Sequence, residues 1–126
     1  MKKLFISVPM KGRTEENIRK SIDKMHRIAE AVFDEQLEVI PSYIEDKPPE
    51  NSKEAVWYLG ESVKKLAEAD YFIGINYSSK YNGCNIERDV AYYYGIKAYC
   101  VDCEIFADIF AGMIADMNAK GNIRPL

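Results

Sequence analysis

The sequence is poor in histidine and in paired cysteines, and it has neither an excess of positive charge nor a long apolar run. Its single histidine, His26, lies beside the apolar stripe of a helical pattern and reads as structural. Proton transfer is therefore expected to fall to carboxylates. The three cysteines, Cys84, Cys100 and Cys103, are odd in number and poorly spaced for a disulfide framework, so reduced thiols in a cytoplasmic setting are expected. Cys100-Val101-Asp102-Cys103 has redox-motif spacing, but a redox pair usually opens a helix, whereas Cys100 sits inside a strand-like run. No second Cys or His pair completes a zinc site. A net charge of -3 offers polyanions no general attraction, which argues against a nucleic-acid polymer as partner and leaves room for a small anionic ligand. No run approaches the ~18 apolar residues of a membrane span, so no membrane association is expected. The apolar run Leu4–Val8 is too short for a signal peptide and no small-residue cleavage site follows it.

What the chain does contain is an alternation of short apolar runs and amphipathic stretches, in a length of 126 residues that fits one domain. Leu4–Val8, stopped by Pro9, is expected to be a buried strand. Thr14 then caps a helix with Glu15 and Glu16 in its first turn. Ile18, Ile22, Met25, Ala29, Val32 and Phe33 give that helix one apolar face ending near Glu35. Leu37–Ile40 is a second strand, followed by a long loop over Ser42–Asn51. Ser52 is expected to cap the next helix, whose stripe is Val56, Leu59, Val63 and Leu66. Tyr71–Ile75 is a third and central strand, Asn76–Asn82 a polar loop, and Gly83–Tyr94 a helix terminated by Gly95. Ala98–Val101 is a fourth strand, Ile105–Met117 a last amphipathic helix, and Gly121 the start of a tail. This order predicts an α/β fold: a doubly wound parallel sheet in a Rossmann- or flavodoxin-like three-layer sandwich. Ligands bind beyond the carboxyl ends of such strands, at the switch point. The loops Pro9–Arg13 and Asn76–Gly83 are expected to face each other there.

Glu87 is the first candidate for chemistry, placed in the first turn of the helix that opens at Gly83. A carboxylate there can attack an electrophilic carbon, and Gly83 lets backbone come close to a ligand. Without further information it reads first as a solvated acid favoured by the helix dipole. Lys11, Gly12 and Arg13 form a flexible cationic loop at a helix N-terminus, suited to phosphate or carboxylate, or else simply solvated. Ser7 can hydrogen-bond a ligand or cap a turn, and Met10, Asn76 and Asn82 complete the two loops. Tyr77 and Tyr81 could stack on a base. Of Tyr92, Tyr93 and Tyr94, at most two can be core, and another could mark a subunit interface.

The run Gly83-Cys84-Asn85-Ile86-Glu87-Arg88-Asp89-Val90-Ala91 resembles the signature Gly-Thr-x-x-Glu-x-Gly-x-Ala of the nucleoside 2-deoxyribosyltransferases, keeping its glycine, glutamate and alanine. Ala69-Asp70 before the third strand and Ile6–Gly12 at the first are similar to the same family in order and spacing, over roughly residues 3 to 101. The resemblance implies that Glu87 is the nucleophile in cleavage of an N-glycosidic bond, through a covalent glycosyl ester, with transfer to another base. It implies no metal or organic cofactor, a nucleoside or nucleotide substrate and a homo-oligomer. Two departures stand out. The loop after the third strand holds Asn76, Tyr81 and Asn82 where the family usually has acids that hold and protonate the base, and Cys84 and Asp89 replace the motif's threonine and second glycine. A nucleotide N-glycosidase, in which water accepts the sugar, and a non-catalytic nucleotide-binding module on the same fold are the alternatives. A flavin binder or receiver fits less well, since the third strand leads into Asn76 rather than an aspartate.

Overall fold

A computed structural model describes residues 1–102 and 123–126. Five strands form one sheet in the order β2-β1-β3-β4-β5, the flavodoxin-like arrangement with its switch point between β1 and β3. The strands are β1 (Lys2–Ile6), β2 (Leu37–Val39), β3 (Tyr71–Ile75), β4 (Lys97–Val101) and β5 (Ile123–Pro125). The first four run parallel and β5 is antiparallel to β4. Among the described residues three helices connect the first four strands: α1 (Glu15–Phe33), α2 (Glu54–Leu66) and α3 (Asn82–Tyr93). The expected α/β sandwich is therefore the observed fold class. The expected helix Ile105–Met117 and Cys103 lie outside the described residues.

Strand alternation decides which face each side chain covers. Leu4, Ile6 and Val8 of β1, with Tyr71 and Ile73 of β3, pack with Met25, Ile28 and Ala29 of α1. Phe5, Phe72, Ala98 and Cys100 turn to the other face, where Leu66 of α2 and Ala91 of α3 cover them. Gly74 belongs to that second face. A Cβ there would stand 2.7 Å from the Phe72 ring and 3.4 Å from the Ser7 Cβ, so only glycine fits beside the ring. Cys100 is buried among these apolar groups, which pushes its thiol up to about 11 and leaves it a poor redox nucleophile.

Several local readings hold and several do not. The Thr14 hydroxyl accepts from the Asn17 N–H, as an N-cap should. Ser52 does not cap α2: its hydroxyl donates to the Pro49 carbonyl at 2.6 Å, and Lys53 occupies the cap position. Val56 is 63% exposed, because the first turns of α2 stand clear of the core and Leu66 alone among its residues is fully covered. The connection after β2 is tied down by Lys65, whose ammonium donates to the Pro41 and Tyr43 carbonyls at 2.6 and 2.5 Å. Asp70 brackets Lys3, accepting from its N–H at 2.8 Å and donating to its carbonyl at 2.9 Å. The Ala69-Asp70 pair thus fastens β1 to the start of β3, at the end of the sheet remote from Glu87. Within the expected tail, Ile123–Pro125 forms an edge strand.

Candidate active site around Glu87

Ser7 follows directly on β1, and its N–H donates to the Ile73 carbonyl at 2.9 Å, continuing the parallel register past the strand end. Alternation turns its side chain to the face of α2 and α3. There the Ser7 hydroxyl donates to Glu87 Oε1 at 2.7 Å, joining positions 80 residues apart. The Ser62 hydroxyl, from α2, donates to Glu87 Oε2 at 2.5 Å. Both carboxylate oxygens are therefore held, one from the sheet and one from a neighbouring helix.

Glu87 is the sixth residue of α3, so it lies in the second turn and not the first. The helix-terminal dipole fades beyond the first turn, so its field is not what holds the charge. Glu87 is 9% exposed, which rules out the reading as a solvated surface acid. Burial raises its pKa, and the hydroxyls of Ser62 and Ser7 oppose that by stabilising the charged form. The result is a desolvated, oriented carboxylate at the carboxyl end of the sheet, beside the β1/β3 switch point.

The other candidates are placed unevenly. Arg13 turns back on its own segment: its guanidinium donates to the Pro9 carbonyl at 2.7 Å, to the Asn17 carbonyl at 3.2 Å and to the Ser21 hydroxyl. Gly12 is part of a defined turn, with φ +75° and a bond from the Arg13 N–H to the Met10 carbonyl at 3.2 Å. Lys11 and Met10 are exposed on that turn. Asn82 and Gly83 are exposed at the start of α3, and a Cβ on Gly83 would meet only Leu59, at 4.0 Å. Asn76, just past β3, donates through Nδ2 to Asp102 Oδ1, just past β4. Tyr77 is exposed, with the Arg88 guanidinium 5.7 Å from its ring centroid. Asp89 is exposed and pairs with Arg88 at 3.2 Å, consistent with solvated helix surface. Tyr92, Tyr93 and Tyr94 are all exposed, at 62%, 76% and 81%, so none is core.

Two residues of this region escape a reading of the sequence. Ser62 sits between Leu59 and Leu66 on the inner stripe of α2, and a hydroxyl at a position of apolar spacing was the available signal. Asn85 accepts from the Ser78 N–H at 3.1 Å and donates to the Ser78 carbonyl at 2.7 Å, pinning the loop between β3 and α3. Among the described residues no group of three or more His, Cys, Asp or Glu is gathered to hold a metal ion, and no helix is long and apolar enough to cross a membrane. Compared with protein-family models, with curated proteins and with solved structures, the chain matches none.

Proposed function

We propose that the protein breaks the N-glycosidic bond of a (deoxy)nucleoside or nucleotide, with Glu87 as nucleophile, and transfers the sugar to a second base. The observation that carries this reading is the double serine grip on a buried carboxylate at the switch point of the sheet. A surface acid has no need of such a grip. A nucleophile does, because attack requires one oxygen to be aimed at carbon and the ionised form to survive burial.

In this reading a Glu87 oxygen bonds to C1′ as the C1′–N bond breaks, through an oxocarbenium-like transition state. The glycosyl ester is then opened by an incoming base, and exclusion of bulk water favours transfer over hydrolysis. Arg13 is engaged within its own segment, which leaves to Lys11, exposed on the same turn, the proposed role of meeting a 5′-phosphate. The exposed tyrosines at the end of α3 are the candidate contact surface for a homo-oligomer.

Incubation with deoxyinosine and free adenine, and in parallel with deoxyinosine 5′-phosphate, tests the proposal. Deoxyadenosine formation supports transfer, and free hypoxanthine alone supports hydrolysis. Preference for the phosphorylated substrate would mark a nucleotide enzyme. Tight binding without turnover of either would replace the enzyme with a binding module. Glu87→Ala should abolish turnover in a folded protein, and wild-type rates in that variant would remove Glu87 from the role.

A further inference from the structure

Cleavage of an N-glycosidic bond needs a proton for the departing base, since a base anion is a poor leaving group. The loop between β3 and α3 contains no acid. The sheet supplies one from the next strand. Register pairs Gly74 with Cys100 and Ile75 with Val101, and the Asn76 N–H continues it by donating to the Val101 carbonyl at 2.8 Å. Asn76 and Asp102 are therefore side by side, one residue beyond their strands.

The same alternation that turns Ser7 toward Glu87 applies along both strands. Phe72, Gly74 and Asn76 share one face, as do Ala98, Cys100 and Asp102. This is the face that α3 covers. Glu87 is bonded at the level of Ser7, beside Gly74, where the missing side chain keeps the sheet surface low. Asp102 stands two residues further along the strand direction, roughly 6.6 Å at the ordinary rise, and two strands across from the β1 end that holds Glu87, roughly 9.6 Å sideways, so a bound nucleoside would lie between the two carboxyl groups. It is half-buried, and the Asn76 amide donates to its Oδ1, which orients the carboxyl group.

We propose that Asp102, held by Asn76, is the acid–base partner of Glu87, protonating the leaving base. This rests on the reading of Glu87 as the nucleophile of N-glycosidic cleavage. As the Glu87 oxygen bonds to C1′, the electron pair of the C1′–N bond passes to the base. Asp102, protonated from solvent before the first turnover and by the attacking group in each later one, passes its proton to a ring nitrogen, so the base leaves neutral and Asp102 is left ionised. When water or a second base attacks C1′, Asp102 takes the proton of the attacking group, and the ester pair returns to Glu87.

Asp102→Asn keeps an acceptor for Asn76 and removes the proton. The test compares two substrates, deoxyinosine and 7-methyl-2′-deoxyguanosine, whose base already carries a positive charge and departs neutral with no proton supplied. Asp102→Asn should slow cleavage of deoxyinosine by about 10²- to 10⁴-fold, the usual worth of a general acid, while leaving the methylated substrate near its wild-type rate. Retained cleavage of the methylated substrate also shows that the variant is folded. Glu87→Ala should suppress both. Equal rates with wild type on deoxyinosine, or equal losses on both substrates, would overturn the role of Asp102 and leave that of Glu87 standing. Failure of the wild-type protein to cleave either substrate would overturn both.

Discussion

Ser62 and Glu87 meet across the seam between α2 and α3, the serine hydroxyl donating to Oε2 at 2.5 Å. Ser62→Ala removes one of the two groups that favour the charged carboxylate, so the Glu87 pKa should rise further. The acid limb of the kcat/KM profile is then expected to move to higher pH. A hydrogen bond to a charged group contributes about 1.5–3 kcal/mol, which corresponds to roughly 10- to 100-fold in kcat. KM should change little. An unshifted limb would show that Ser62 only fills space.

Stability should carry the same signature. Glu87 has a raised pKa in the folded protein, so folding favours its protonated form. Its contribution is fully present below the ordinary glutamate range and is lost as pH rises through the folded value. Glu87→Gln removes that dependence while keeping the side chain's shape. The variant is expected to unfold at a higher temperature than wild type at pH 8, with the difference shrinking as pH falls to 4. A gap of constant size across that range would contradict a charge-based cause.

Gly74→Ala tests the close approach beneath the site. The added methyl would lie 2.7 Å from the Phe72 ring, which is itself stacked on Phe5 at a centroid distance of 5.8 Å and has no open space to retreat into. Overpacking of this kind costs about 1–3 kcal/mol. Chemical denaturation should show a lower midpoint with an unchanged slope.

Asn85→Ala removes both bonds to Ser78. Leaving these part-buried backbone groups without their partners costs about 1 kcal/mol, the low end of the range for buried groups. Because the loosened segment is the loop from Asn76 to Tyr81, the expected kinetic effect is a raised KM, with faster amide exchange confined to that loop. Unchanged exchange there would show that Ser78 is held by something else.

The fold was readable because its strongest signals are local. β3 has the bounds expected of an unbroken apolar run, and α1 starts at a capping threonine followed by two glutamates. The parallel order of β1, β3 and β4 follows from handedness rules applied to that alternation. The first turns of α2 were not readable, since the spacing of Val56 matches the stripe but nothing in the sequence says the helix overshoots the core there. β5 was hidden because three residues containing Pro125 carry no periodicity, and a proline is tolerated only where an edge leaves its missing N–H unneeded. At the site, Glu87 and Ser7 were each legible, but their bond was not: it depends on β1 and β3 being neighbours and on a helix turn being counted from Asn82. Ser62 and Asp102 were overlooked for the same reason, as each acquires its place only once separate segments are laid side by side.

Among the described residues the sheet ends on both sides in a strand of three residues, β2 and the proline-bearing β5. So brief a rim gives a foreign strand little to zip onto, and the proline withholds a donor besides. Of the ways two copies of the chain could meet, one continuous ribbon of backbone across the junction is therefore the one these rims favour least.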